Sequence, residues 1–184
     1  MRYSADEIAK VVDGRLVGDN TVVSGGVYTD SREVTPESLY IARVGEHADG
    51  HDYLDSAVER GAVAAIVTRE DAGPQNLTKI VVKDATKALG LLAQAHLKKL
   101  REAGDIDVVG ITGSVGKTTT KDLTAGILRA FAPTVAPVSS FNNEVGMPLT
   151  VLRADENTRY LVLEMGASGP GHLQYLAKIA SPDI

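Results

Sequence analysis

The 184-residue chain contains no cysteine and no tryptophan, and aromatic residues make up only 4% of it. The missing cysteine removes disulfides, thiolate nucleophiles and cysteine-ligated zinc together. With so few aromatic rings, the core has to be built from Val, Ile, Leu and Ala. There is no basic excess either: the formal net charge is −5. A dedicated nucleic-acid binder would carry a positive surplus, so no nucleic-acid partner is expected. Long apolar runs are absent. Ala62–Val67 is among the longest, far short of the roughly 20 residues a membrane helix needs, so no membrane partner is expected. Met1–Lys10 is polar and charged, without the apolar stretch of a secretory signal. These absences point to a cytoplasmic protein. No internal repeat or low-complexity stretch is visible.

What is present is a globular composition, 43% apolar and 23% charged, arranged as alternating short strands and helices. Ser4 and Glu7 have capping-box spacing at the start of a first helix that Gly14 ends. Strands are expected at Arg15–Val17, Thr21–Ser24, Val27–Tyr28, Ser38–Ala42, Ala62–Thr68 and Lys79–Val82, with a helix over His51–Arg60. Thr86–Ala103 is the longest helical pattern, with Leu89, Leu92, Ala95 and Leu100 on one face. Strands are then expected at Ile106–Thr112, Thr134–Val138 and Tyr160–Met165. They alternate with helices over Lys117–Phe131, Val145–Arg153 and Pro170–Ala180. Such alternation predicts a mostly parallel sheet with right-handed crossovers.

The fold class is therefore α/β. A small α/β domain over 1–83 is followed by a connecting helix at 84–104 and a parallel-sheet, phosphate-loop domain over 105–184. Only three strands of that second sheet are expected before residue 184. Sheets of this kind usually have about five or more, so the second domain is expected to be incomplete.

The strongest chemical signal is Gly110-Ile111-Thr112-Gly113-Ser114-Val115-Gly116-Lys117-Thr118-Thr119-Thr120. It lies between an apolar strand and a helix, the context a phosphate-binding loop requires. Small residues let backbone N–H groups curl around phosphate oxygens, and the helix N-terminus adds its positive dipole end. Lys117 can reach β- and γ-phosphates, and the Thr118 hydroxyl can ligate Mg²⁺. The strict pattern places Gly six residues before the lysine, where this chain has Ile111.

Glu164 closes the apolar Leu161–Glu164 stretch, at the carboxyl end of a strand, where open α/β sheets bind ligands. It could hold Mg²⁺ directly or through water. In Ser140-Phe141-Asn142-Asn143-Glu144 the paired amides could cap a helix or aim at a phosphate. Thr29-Asp30-Ser31-Arg32 offers an arginine suited to phosphate, though without further context a turn with a surface salt bridge explains it better. His51 reads as a capping or positioning residue. His47, His96 and His172, like His51, have no His or Cys partner at ligand spacing, and His96 reads as structural.

Together these segments resemble the Mur ligase family, the ATP-dependent amino-acid ligases of peptidoglycan precursor synthesis. Asp30-Ser31-Arg32, Leu39–Arg43, Gly45-Glu46, Asp49–Asp52 and Gly61-Ala62 are similar to the family's UDP-binding N-terminal domain. Gly110–Thr120 is similar to its ATP loop. Phe141–Thr150 and Glu164-Met165-Gly166-Ala167 resemble the branch that adds D-alanyl-D-alanine. A branch adding a single amino acid (MurE type) usually carries Thr-Thr-Pro in place of the former. Ser139 departs from the Gly often found two residues before that phenylalanine.

The resemblance implies that Ser31 and Arg32 bind UDP-N-acetylmuramoyl-tripeptide. Gly113, Ser114, Val115, Gly116, Lys117, Thr118, Thr119 and Asn143 would bind ATP. Lys117 and Glu164 would be catalytic, with Thr118 and Glu164 holding Mg²⁺. It also implies an acyl-phosphate formed on the tripeptide carboxylate and attacked by the D-alanyl-D-alanine amine. The family's later elements lie beyond residue 184, so the 184 residues alone are expected to be inactive as a ligase, and a monomer is expected. The alternatives are a MurE-type ligase, or a nucleotide- or UDP-sugar-binding module without catalysis.

Overall fold

The computed structural model describes residues 1–46 and 48–184; His47 lies outside the described residues. The chain divides into two compact units, Met1–Leu92 and Ala93–Ile184.

In the first unit, β1 (Tyr3–Ser4) leads into α1 (Ala5–Val11), where Ser4 and Glu7 close the predicted capping box. The Ser4 hydroxyl accepts from the Glu7 N–H, and the Glu7 carboxylate accepts from the Ser4 N–H at 2.7 Å. The next strands are β2 (Arg15–Val17), β3 (Val22–Val23), β4 (Val27–Tyr28), β5 (Ser38–Ile41), β6 (Ala62–Val67) and β7 (Thr78–Val81). Five of them form a sheet in the order β2-β7-β6-β5-β4. Its pairings are parallel except at the edge, where β2 runs antiparallel to β7. A separate antiparallel pair, β1 with β3, was not foreseen. Strand β3 lies inside the strand expected at Thr21–Ser24, whereas β1 was hidden because Ser4 reads as a helix cap.

Strand β6 is the centre of this sheet. Its residues are almost entirely buried, as expected for a parallel strand covered on both faces. One face packs with Tyr40, Leu54, Ala57 and Leu77. The single helix expected over His51–Arg60 is two pieces: a 3-10 turn at Gly50–Tyr53, then α2 over Leu54–Glu59. Asp49 explains the tight start, because its carboxylate accepts from the His51 N–H at 2.9 Å.

Helix α3 (Ala85–Ala103) begins in the first unit and ends in the second. Its later turns bond within the second unit: His96 Nε2 donates to the Ala154 carbonyl at 2.8 Å, and Arg101 reaches the Ser181 carbonyl and Asp183. Then come β8 (Asp107–Ile111), α4 (Lys117–Arg129), β9 (Thr134–Val135), α5 (Gly146–Val151), β10 (Tyr160–Glu164) and α6 (His172–Ala180). The sheet order is β8-β10-β9, all parallel.

Strand β9 is shorter than the expected Thr134–Val138. Pro137 has no N–H to give a ladder, and its carbonyl is taken by the buried Lys121 ammonium at 3.0 Å. Among the described residues, no helix is long and apolar enough to cross a membrane.

Ile66 lies fully buried in β6, whereas Val22 in β3 is 46% exposed. I66A is expected to lower the unfolding free energy by about 2–5 kcal/mol, and V22A by less than about 0.5 kcal/mol. Urea denaturation of the two variants checks this; equal small losses would contradict the placement of β6 at the core.

Candidate functional site

The parallel register of β8 and β10 builds the site in the second unit. Glu164 pairs with Ile111, so the carboxylate ends β10 level with the residue at which β8 gives way to the glycine-rich loop. Helix α4 starts immediately after that loop. Its N-cap, Gly116, has φ of +81° and offers no side-chain cap. Only glycine adopts this backbone without strain, and the first amides of α4 are left open to an anion.

The resulting pocket, of about 360 Å³, is lined by Ser114, Val115, Gly116, Lys117, Thr118, Thr119, Ser140, Asn142 and Glu164. Lys117 folds back to donate to the Gly113 carbonyl at 2.7 Å. Thr118 Oγ1 donates to Glu164 Oε2 at 3.0 Å and lies 3.2 Å from Ser140 Oγ. Asn142 Nδ2 donates to the other carboxylate oxygen, Oε1, at 2.8 Å. Gly166 lets Asn142 in, since a Cβ there would meet Asn142 Cγ and Oδ1 at 3.0 Å.

Glu164 is 1% exposed. Its two partners are neutral, and no ion pair engages it among the described residues. Buried carboxylates are ordinarily paired with a cation or bound to a metal. The donors here are a carboxylate and hydroxyls, all hard oxygens, the set that suits Mg²⁺ when phosphates and water complete its shell. Among the described residues, no cluster of three or more His, Asp or Glu could hold a metal without such help.

Of the residues singled out in sequence, Ser114 to Thr119 and Glu164 come together here. Gly113 is present through its carbonyl. Asn143 is engaged elsewhere. Its Oδ1 accepts from Val145 N at 3.2 Å and Gly146 N at 2.9 Å, holding the start of α5. Its neighbour Asn142 enters the pocket, as does Ser140. Two adjacent asparagines ahead of a helix carry no sequence signal to say which one caps it. His172 is held by two hydrogen bonds. It accepts from the Ser168 N–H at Nδ1, so Nε2 carries the proton and donates to Glu144 at 2.9 Å.

The first unit carries its own cleft, of about 750 Å³, and Ser31 and Arg32 line it. Asp30 caps the 3-10 turn Ser31–Glu33 and receives Arg32 through both the backbone N–H, at 2.9 Å, and the guanidinium, with Nη2 at 2.6 Å. The salt bridge and the cleft wall are thus the same structure. These bonds, the side-chain one foremost, hold the Asp30 carboxyl down at about 2. Tyr40, Arg43, Tyr53 and Ser56 also line the cleft; Tyr40 and Arg43 lie in the Leu39–Arg43 segment that carries the resemblance, but no residue pattern singles them out as cleft residues. Tyr40 donates to the Gly50 carbonyl at 3.1 Å, and burial pushes its hydroxyl up to about 12. His51 is buried beneath the cleft residue Gly50, with Nδ1 on Asp49 at 2.6 Å and Nε2 accepting from the Thr68 N–H at 3.0 Å. It is a positioning residue.

Residues 24–97 match the description "Mur ligase family, catalytic domain", and residues 111–184 match "Mur ligase middle domain". A UDP-N-acetylmuramoyl-tripeptide–D-alanyl-D-alanine ligase of Mycobacterium leprae is 45% identical over 96% of this chain and 39% of its own length. The crystal structure of MurF from Acinetobacter baumannii superposes with a TM-score of 0.87 at 31% identity, covering 99% of this chain and 40% of that one. MurF from Thermotoga maritima, solved in complex with ADP, gives 0.74 at 34% identity over 88% and 36%. The chain spans about 40% of the length of the relatives it matches.

The Asp30 geometry sets a pH dependence. Its folded pKa lies below the unfolded value of about 3.9, so its contribution to stability is fully present above that value and is lost as pH falls towards about 2. D30N is expected to flatten the loss of stability between about pH 4 and pH 2. Urea unfolding across that range checks it, and an acid limb as steep as that of the unaltered chain would contradict it.

Proposed function

The chain belongs to the Mur ligase family, and we propose that it carries two substrate sites of an ATP-dependent, ADP-forming ligase of peptidoglycan precursor synthesis. In this reading the cleft of the first unit binds UDP-N-acetylmuramoyl-tripeptide, and the loop of the second binds ATP. The reaction joins D-alanyl-D-alanine to the tripeptide through an acyl-phosphate. The single observation that carries the reading is the buried Glu164 carboxylate, tied to Thr118 at the mouth of the phosphate loop. The relatives' names give the identity of the joined groups.

The residues divide the work as follows. The open amides of α4 receive phosphate oxygens, and its dipole favours their charge. Lys117 exchanges the Gly113 carbonyl for the phosphoryl group in transfer, where negative charge must be offset as two anions approach. Thr118 and Glu164 would hold Mg²⁺, which when bound would neutralise charge on the phosphates. Asn142 fixes the Glu164 carboxylate so that its Oε2 edge stays beside Thr118. A carboxylate is a poor acyl donor until one oxygen becomes a phosphate leaving group, and this is the work asked of ATP. Ser31 and Arg32 belong to the substrate cleft, with Ser31 held in the turn that Asp30 caps. The division of labour follows residues 1–83 and 105–184, joined by the helix of 84–104.

A thermal-shift titration tests this reading, because a ligand that binds only the folded state raises the melting temperature by mass action. UDP-N-acetylmuramoyl-tripeptide is expected to give a larger shift than the dipeptide precursor. MgATP is expected to shift the unaltered chain, while K117M weakens ATP binding about 10- to 100-fold with or without metal. E164Q and T118A are expected to remove only the Mg²⁺-dependent part. A MgATP shift that K117M and E164Q leave intact would overturn the assignment of the loop.

A further inference from the structure

We infer that Arg43, rather than Arg32, is the cation that recognises the diphosphate of the substrate in the first unit's cleft. The inference rests on the reading of that cleft as the uridine-diphosphate site. Among the described residues, three charged side chains line it: Asp30, Arg32 and Arg43. Asp30 and Arg32 are spent on each other. The Arg32 fork closes on the Asp30 carboxylate through Nε at 2.9 Å and Nη2 at 2.6 Å, and the Arg32 side chain is 83% exposed. Their charges cancel, so the lining keeps one uncompensated positive charge, on Arg43.

The surroundings of Arg43 call for an acceptor. Its Nε is buried and has no hydrogen-bond partner among the described residues. More than about 90% of buried polar groups in folded proteins are satisfied, and a buried donor left open is costly. No carboxylate of the described residues answers it. Arg43 also borders a smaller recess of about 270 Å³ that holds Asp84. That carboxylate is occupied in capping α3, accepting from Thr86 N at 2.9 Å and Lys87 N at 3.0 Å.

The backbone of Arg43 is fixed from both sides. Its N–H donates to the Ile41 carbonyl at 3.1 Å, and its own carbonyl accepts from Gly50 N at 2.9 Å. Side-chain motion is therefore the only freedom the residue keeps. A planar guanidinium on a fixed base matches two adjacent phosphate oxygens. Hydroxyls of Thr29, Ser31, Tyr53 and Ser56 line the same cleft and can donate to the remaining oxygens. The ligand chemistry that fits is a nucleoside diphosphate ester, with Arg43 on its phosphates.

NMR titration of the full chain with UDP and with uridine tests this, using R43Q, R43K and R32Q. R43Q is expected to weaken UDP binding about 10- to 100-fold and to leave uridine binding unchanged, so the preference for the diphosphate collapses. R43K, which keeps the charge but loses the fork, should fall between. R32Q, which removes no direct phosphate contact but frees the Asp30 carboxylate, should cost less than R43Q. Melting of each variant without ligand checks folding, and if R43Q does not fold, the UDP-to-uridine ratio of R43K decides. A ratio in R43Q, or in R43K if that variant decides, equal to that of the unaltered chain would overturn the inference alone. An unaltered chain that binds UDP no better than uridine would overturn the reading of the cleft and the inference with it.

Discussion

The parallel pairing of β8 with β10 is the constraint on which the second unit's chemistry depends. Because Glu164 lies level with Ile111, the last residues of β10 and β8 leave the sheet side by side, and the phosphate loop starts there. The Thr118–Glu164 hydrogen bond of 3.0 Å follows from that register. A slip of one residue would turn Glu164 to the other face of the sheet and dissolve the site while leaving every motif in the sequence intact. Asn142 and Gly166 then act as a clasp: Gly166 N donates to the Asn142 carbonyl at 2.7 Å, and Asn142 holds the carboxylate. Neutral donors hold the buried carboxylate, and no ion pair engages it among the described residues.

The two units handle negative charge by different means. In the second, the work falls to backbone amides at a helix start and one lysine, groups that fit the compact, highly charged end of a nucleotide triphosphate. In the first, a sheet edge and a short 3-10 turn present hydroxyls and guanidinium groups around an open cleft. Asp30 matters there for what it withholds. By engaging Arg32 it fixes the turn that carries Ser31, and it removes one positive charge from the cleft. The charge that remains sits on Arg43, whose backbone is clasped to Gly50.

Much of this was legible in the residues. Local chemistry marked the capping box of Ser4 and Glu7, the apolar run of β6 and the strand–loop–helix around Lys117, because each is encoded by neighbours in sequence. The shortfalls share a cause. Pro137 cuts β9 short through a bond to Lys121, Asp49 tightens the start of the α2 region, and β1 pairs with β3 across the intervening α1 and β2. Each is decided by a partner that local periodicity does not reveal. The same holds for the clefts. Asn142 and Asn143 are indistinguishable until the fold gives one to Glu164 and the other to the α5 amides. Tyr40, Arg43, Tyr53 and Ser56 become a wall only once β5 and the Gly50–Tyr53 turn lie together. Arg32 is the case in which the residues named the turn: the salt bridge to Asp30 that they suggested is present, and it stands in the cleft wall.

The central claim is that two separate sites, one in each unit, receive two different phosphate-bearing substrates. Hydrogen–deuterium exchange with each ligand added alone tests it most directly. MgADP is predicted to slow exchange in the peptides containing Gly113–Thr119, Asn142 and Glu164–Gly166 and nowhere in the first unit's cleft. UDP, which lacks the tripeptide, is predicted to slow exchange around Thr29–Arg43 and Gly50–Ser56 and to leave the loop of the second unit unchanged. Protection of the phosphate loop by the UDP compound alone, or of the first cleft by MgADP alone, would contradict the account.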